Sequence, residues 1–143
     1  MEAIAIQRSV TTTAPRERVW KSITNPKNLS KWFSPLAITF ETLVVGEKIA
    51  FTHEGKSTYG SIAAIVPPER FAFYWGAHPD DDDIKNLVTF QLEEIVDGTR
   101  ITVLEKGFEA LPAEVRQAQF DDNTKGWGIV LDGIVADVET DAP

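Results

Sequence analysis

The sequence predicts an α+β fold in which a seven-strand antiparallel sheet wraps a long C-terminal helix. Three observations carry that prediction. From Leu36 to Phe108 apolar residues alternate with polar ones in strand-sized runs. Turn signals separate the runs at Gly46-Glu47, Glu54-Gly55-Lys56, Pro67-Pro68, His78–Asp83 and Asp97-Gly98, and connections this short favour an antiparallel meander. After Leu111-Pro112 the period turns helical and stays so to Val138.

Taken in order, Ile4–Val10 reads as a first strand, apolar at Ile4, Ile6 and Val10. Thr13 is then a candidate helix cap, with Pro15 in the first turn and Val19, Trp20 and Ile23 on the apolar face. Asn25-Pro26 stops that helix; a second short one follows at Lys27–Trp32 and Pro35 ends it. Six more strands fit near Ile38–Val44, Glu47–Thr52, Ser57–Ile65, Arg70–Gly76, Asn86–Glu94 and Thr99–Lys106. In two of them the inward face is legible, as Phe71, Phe73 and Trp75 and as Val88, Phe90 and Leu92. Phe120, Trp127, Leu131, Ile134 and Val138 form one stripe on the last helix, expected from Pro112 to Val138 and about seven turns long. Residues 1–139 are thus expected to form a single domain, with Thr140–Pro143 as a frayed tail.

Composition narrows the function classes. A chain of 143 residues buries enough surface to need no metal or disulfide, and it has no cysteine, which excludes thiol catalysis and Cys-based zinc sites. Without cysteines or a signal-peptide pattern, the expected compartment is the cytoplasm. The formal charge of −8 argues against a nucleic-acid partner, and no apolar run is long enough for a membrane span. Asp80–Asp83 reads as a solvated turn, since a calcium loop spaces its carboxylates at alternate positions and bends at a glycine. His53 and His78 have no metal-ligand spacing, so neither metal nor cofactor is expected.

Several blocks then occur in a telling order: Thr13-Ala14-Pro15-Arg16-Glu17-Arg18-Val19-Trp20, Ile23-Thr24-Asn25-Pro26 with Leu29 and Trp32-Phe33, Gly46, Pro67-Pro68-Glu69-Arg70-Phe71 leading to Trp75, Gly98-Thr99, Gly107-Phe108, and Gly126-Trp127. In this the chain resembles the SRPBCC superfamily, in particular its branch similar to the C-terminal domain of the Hsp90 ATPase activator Aha1. The resemblance covers nearly the whole chain. It implies a helix-grip fold, also called START or Bet v 1-like, with two short helices between strands 1 and 2, and a groove that in relatives holds lipids, polyketides or other hydrophobic molecules. It also raises Hsp90 as a partner. One domain accounts for all 143 residues, so the further domain through which Aha1 also engages the chaperone is not expected.

The pocket expected between sheet and helix draws on Trp32, Phe51, Phe73, Trp75, Phe90, Val103, Glu105, Trp127 and Leu131. This is more aromatic mass than one helix needs to cover. Gly126, in mid-helix, costs about 1 kcal/mol against alanine, and close packing of the helix on the sheet is the expected reason; with Trp127 and Leu131 it is also expected to close one side of the cavity. Gly128 weakens the helix further, by permitting a bend or a second close approach. Alternation turns Glu105 and His53 inward at their strand ends, which makes them the candidate acid/base groups; the plainer alternative sets both at the rim in water. No standard catalytic motif is present. The leading reading is binding of a small hydrophobic molecule, oriented by Glu105, Tyr74, His53 or Arg70. Others are a cyclase, aromatase or hydrolase using Glu105 or His53, and an Hsp90-interacting protein. An open sheet edge suits a monomer or a homodimer alike.

Overall fold

Local chemistry fixes the first elements. In the computed structural model, which describes residues 5–33, 36–78 and 81–139, strand β1 (Ala5–Thr12) leads into helix α1 (Arg16–Ile23). Pro15, not Thr13, occupies the cap position and makes no side-chain cap; its carbonyl accepts from Arg18 N and Val19 N at 3.0 and 3.2 Å. Thr12 and Thr13 are engaged elsewhere. The Thr12 hydroxyl donates to Glu139 Oε2 at 2.6 Å, and the Thr13 amide donates to the same oxygen, tying this corner to the far end of the chain. Asn25-Pro26 ends α1 by starting helix α2 (Pro26–Trp32): Asn25 Oδ1 accepts from Lys27 N at 2.9 Å, and proline sits where its missing N–H is not needed.

The sheet follows as β2 (Ala37–Thr39), β3 (Lys48–His53), β4 (Lys56–Val66), β5 (Arg70–His78), β6 (Asp81–Ile95) and β7 (Gly98–Lys106). It is a curved seven-strand antiparallel sheet in the order β1-β7-β6-β5-β4-β3-β2, a meander that β1 closes by pairing with β7. β2 is shorter than expected. The Glu47 carboxylate accepts from the amides of Glu41 and Thr42, while Gly46 N and Glu47 O bond Ile62, so Leu43, Val44 and Val45 have no neighbouring strand and form an exposed loop. Pairing continues further than expected between β5 and β6, through His78 and Asp81, which takes Asp81–Asp83 out of the turn and into β6; Asp80 lies outside the described residues, as do Ile4, Pro35 and the expected tail at 140–143.

A 3-10 turn (Phe108–Ala110) reverses the chain into helix α3 (Ala113–Glu139). Arg116 steadies the reversal by donating to the carbonyls of Phe108, Glu109 and Leu111. The two halves of α3 differ. Trp127, Val130, Leu131, Ile134 and Val138 are buried in the second half, with the core residues Phe71, Phe73, Phe90, Ile101 and Val103. No residue from Ala113 to Gly126 is buried, although Phe120 meets Phe108 edge to face with ring centres 5.2 Å apart. The helix is therefore buried chiefly along its C-terminal half, while its first half meets the core only through partly buried side chains such as Val115 and Phe120. No helix among the described residues is long and apolar enough to cross a membrane.

Candidate functional site

Strand alternation aims Ile101, Val103 and Glu105 of β7 at the interior, and all three have no exposed surface. Glu105 thus points inward, as alternation predicts, and does not sit at the rim in water. What covers it comes from two strands and a helix. Register pairs Val88 with Glu105 and Trp75 with Asn86, bringing Trp75 and Asn86 to the same interior face, and Asn123 and Trp127, four apart on α3, descend from above.

These four side chains donate to the one carboxylate. Trp127 Nε1 donates to Glu105 Oε1 at 2.8 Å and Trp75 Nε1 to Oε2 at 2.9 Å. Asn86 Nδ2 donates to Oε2 at 3.0 Å, and Asn123 Nδ2 reaches both oxygens at 3.1 Å. Each partner is neutral, so a buried acidic group stands without a cation in its hydrogen-bond shell among the described residues.

The shared carboxylate fixes the two indoles beside each other, with centroids 5.4 Å apart and planes at 31°. Phe33 meets both edge to face, at 5.7 Å from Trp75 and 5.5 Å from Trp127. Together with Trp32 these rings form one side of an open pocket of about 190 Å³. The rest of the lining comes from α3, the helix that also carries Trp127, as Asp122, Asn123, Gly126, Ile129 and Val130. Asp122 and Ile129 are exposed at its mouth. The pocket lies at the middle of α3, where its buried half begins.

Of the residues expected to line a pocket, Trp32, Trp75 and Trp127 do so. Phe51, Phe73, Phe90, Val103 and Leu131 are packed core instead: Phe51 and Phe73 lie 5.9 Å apart, Phe73 and Phe90 6.4 Å, and Phe90 reaches Trp127 at 5.8 Å. Glu105 sits one layer behind the wall. His53 is not in the site at all. It ends β3 beside the Glu54-Gly55 turn, where both residues take positive φ, and its half-exposed ring has Nε2 3.7 Å from Glu54 Oε1. Tyr74 is exposed and Arg70 borders a separate groove with Arg16 and Gln91, so neither reaches the pocket.

Gly126 lines the pocket as expected but makes no close approach to the sheet. A Cβ on Gly126 would meet nothing within 4 Å, because this residue faces the pocket and not the sheet. The close approach occurs at Gly133, where a Cβ would lie 3.2 Å from Trp32 Cδ1. Gly128 leaves room for Arg8, whose Nη1 donates to Thr124 O at 3.0 Å. Phe33, Asp122, Asn123, Ile129 and Val130 join the lining beyond the expected set. The helical period gives a signal for most of them, since Asp122, Asn123, Gly126, Ile129 and Val130 recur at spacings of three and four on one face.

Residues 13–139 match the family described as Activator of Hsp90 ATPase homolog 1-like protein. The chain belongs to this family. Solved structures agree with the assignment of this AHSA1-like chain to the SRPBCC fold. Protein MLL2253 from Mesorhizobium loti superposes with a TM-score of 0.82 at 20% identity, covering 98% of this chain and 100% of that one. The Aha1 dimer from Colwellia psychrerythraea gives 0.74 at 15% identity, covering 98% and 99%. DynU16, a protein in the dynemicin biosynthetic locus, gives 0.75 at 19% identity, over 97% of this chain and 48% of that one. Among curated protein sequences there is no significant match. The AHSA1-like domain therefore has the helix-grip fold expected from the resemblance.

Proposed function

We propose that this AHSA1-like protein binds a small aromatic molecule, without covalent chemistry, in the pocket between α3 and the rings of Phe33, Trp75 and Trp127. The observation that carries the reading is the open aromatic pocket itself, held in shape by a carboxylate bonded to both of its central indoles. Its size favours a single ring with a short substituent over a long-chain lipid or a fused polyketide. An apolar cavity of about 150 Å³ holds benzene, and this one measures about 190 Å³. Removing roughly 150 Å² of ligand surface from water contributes on the order of 4 kcal/mol at ~25 cal/mol per Å². That gain corresponds to a Kd of about 1 mM, and the cost of immobilising the ligand makes it no tighter, so affinity in the millimolar range is expected. A neighbour of the same fold from the dynemicin biosynthetic locus is compatible with a small-molecule occupant.

Binding is favoured over acid/base catalysis by the state of Glu105. Both of its oxygens accept from neighbouring N–H groups, and the pocket wall separates it from any occupant. His53, the other candidate, lies outside the site. Contact with Hsp90 rests on the family description alone, and stimulation of Hsp90 ATPase activity by the purified chain is its direct test.

The binding reading is tested with toluene and benzyl alcohol, titrated into the protein to millimolar concentrations and followed by ligand-observed NMR. Saturable binding is expected. Gly126→Leu should weaken it at least tenfold, because a side chain there grows into open pocket and not into protein. An absence of saturation with either probe, or an unchanged affinity in Gly126→Leu, would sink the proposal.

A further inference from the structure

The charge distribution around the pocket is more selective than its apolar lining. The faces of the tryptophans and phenylalanine carry the negative lobe of the ring quadrupole and attract cations. Two of these rings, Trp75 and Trp127, donate their N–H to one carboxylate that is wholly buried. A hydrogen bond to an anion pushes electron density back into the indole and deepens the negative potential of its face. Asp122 adds an acidic group at the mouth, and among the described residues no lysine or arginine lines the pocket.

A buried carboxylate served only by neutral donors is costly, and an opposite charge nearby offsets that cost. The hydrogen-bond shell of Glu105 contains two indoles and two amides, with no cation among the described residues. The pocket is a solvent-open space bounded by three of these four donors, Trp75, Asn123 and Trp127. A positive group entering it comes to rest one side chain away from the carboxylate, against aromatic rings that the carboxylate has polarised.

We infer that the preferred occupant is a compact organic cation, an amine or quaternary ammonium attached to a single aromatic ring, and not a neutral or anionic ring of the same shape. This rests on the pocket-binding reading above and specifies its ligand class. In the bound state the ammonium lies against the Trp75 side of the pocket toward Asn123, and the ring extends along Gly126 and Ile129 to the mouth, where Asp122 reinforces the selection.

Three probes separate the possibilities: benzyltrimethylammonium, its uncharged carbon isostere neopentylbenzene, and the smaller anion phenylacetate. Their affinities are measured by isothermal titration calorimetry on the intact protein. The expected order places the cation at least tenfold tighter than the neutral isostere, with the anion weakest. Asp122→Asn, an exposed change that leaves the core intact, should narrow the gap between cation and isostere by about twofold to threefold. Glu105→Gln, where circular dichroism shows the native fold, should narrow it further. Equal affinity for cation and isostere, or a preference for phenylacetate, overturns the inference while leaving aromatic binding in place. Failure of all three probes to bind overturns both.

Discussion

At the scale of the residue, Glu105 is the position on which the site depends. It accepts from Trp75, Asn86, Asn123 and Trp127, so its removal strands donors from three separate segments at once. Each orphaned buried donor costs about 1–3 kcal/mol, and partial rearrangement recovers some of that. Glu105→Ala is therefore expected to destabilise the protein by roughly 3–5 kcal/mol in urea unfolding. A loss below about 1 kcal/mol would mean the four donors find other partners readily. Period-2 alternation along β7 is enough to aim Glu105 inward, but not to bury it. Its cover lies at positions 75, 86, 123 and 127, brought together by strand register and helix docking, which no local pattern encodes. The same limit explains the aromatic wall. Alternation identifies an inward Phe90 or Val103, yet whether such a residue meets another ring or open space depends on how α3 docks.

At the scale of the element, α3 is divided by its glycines. Gly126 faces the pocket, and a methyl group added there would find nothing within 4 Å, so alanine recovers helix propensity without a clash. Gly126→Ala should raise stability by about 0.5–1 kcal/mol. Gly133→Ala should gain less or lose, because its methyl must push Trp32 back from 3.2 Å. Urea midpoints of the two variants, compared side by side, check this; a larger gain at position 133 would contradict the assignment of the close approach. In the sheet, Gly60 permits a different contact, since a Cβ there would lie 1.7 Å from Tyr74 O. Gly60→Ala must distort the β4–β5 pairing, and a loss of about 3 kcal/mol or more is expected by thermal denaturation. The elements themselves are largely legible in the sequence, because hydrophobic period and turn chemistry are local. Besides the start of β6, the exception is β2, where Ile38–Val44 has a strand-like composition but the Glu47 carboxylate takes the amides of Glu41 and Thr42 that a strand would have paired. Gly126 departs from expectation for a related reason: sequence marks a glycine in a helix as costly but cannot say which face of the helix has a neighbour.

At the scale of the whole molecule, the fold anchors one end of α3 and leaves the other beside the pocket. The C-terminal end is tied down by Arg18 to Asp137 O, by Ser22 to the Asp137 carboxylate, and by Thr12 and Thr13 to Glu139. The N-terminal half buries no side chain fully and holds to the body through Val115, Phe120, Arg116, the Arg8 bond to Thr124 O and the Asn123 bond to Glu105. Local opening is easiest where few apolar contacts must break. Native-state hydrogen exchange should therefore run faster over residues 114–126 than over 127–138, with opening free energies at the C-terminal half approaching that of global unfolding. An occupant of the pocket touches Asp122, Asn123 and Gly126 from the loose half and Trp127 and Val130 from the anchored half, so it bridges the two. Binding then stabilises the protein by an amount that grows with the logarithm of ligand concentration above Kd. That gain should appear chiefly as slowed exchange around 120–127, where the free protein has the most to lose, and little at 131–138. Mass-spectrometric exchange with and without saturating benzyltrimethylammonium reads both effects in one experiment. Equal protection along the free helix would contradict the division of α3, and ligand protection confined to another surface would move the binding site away from this pocket.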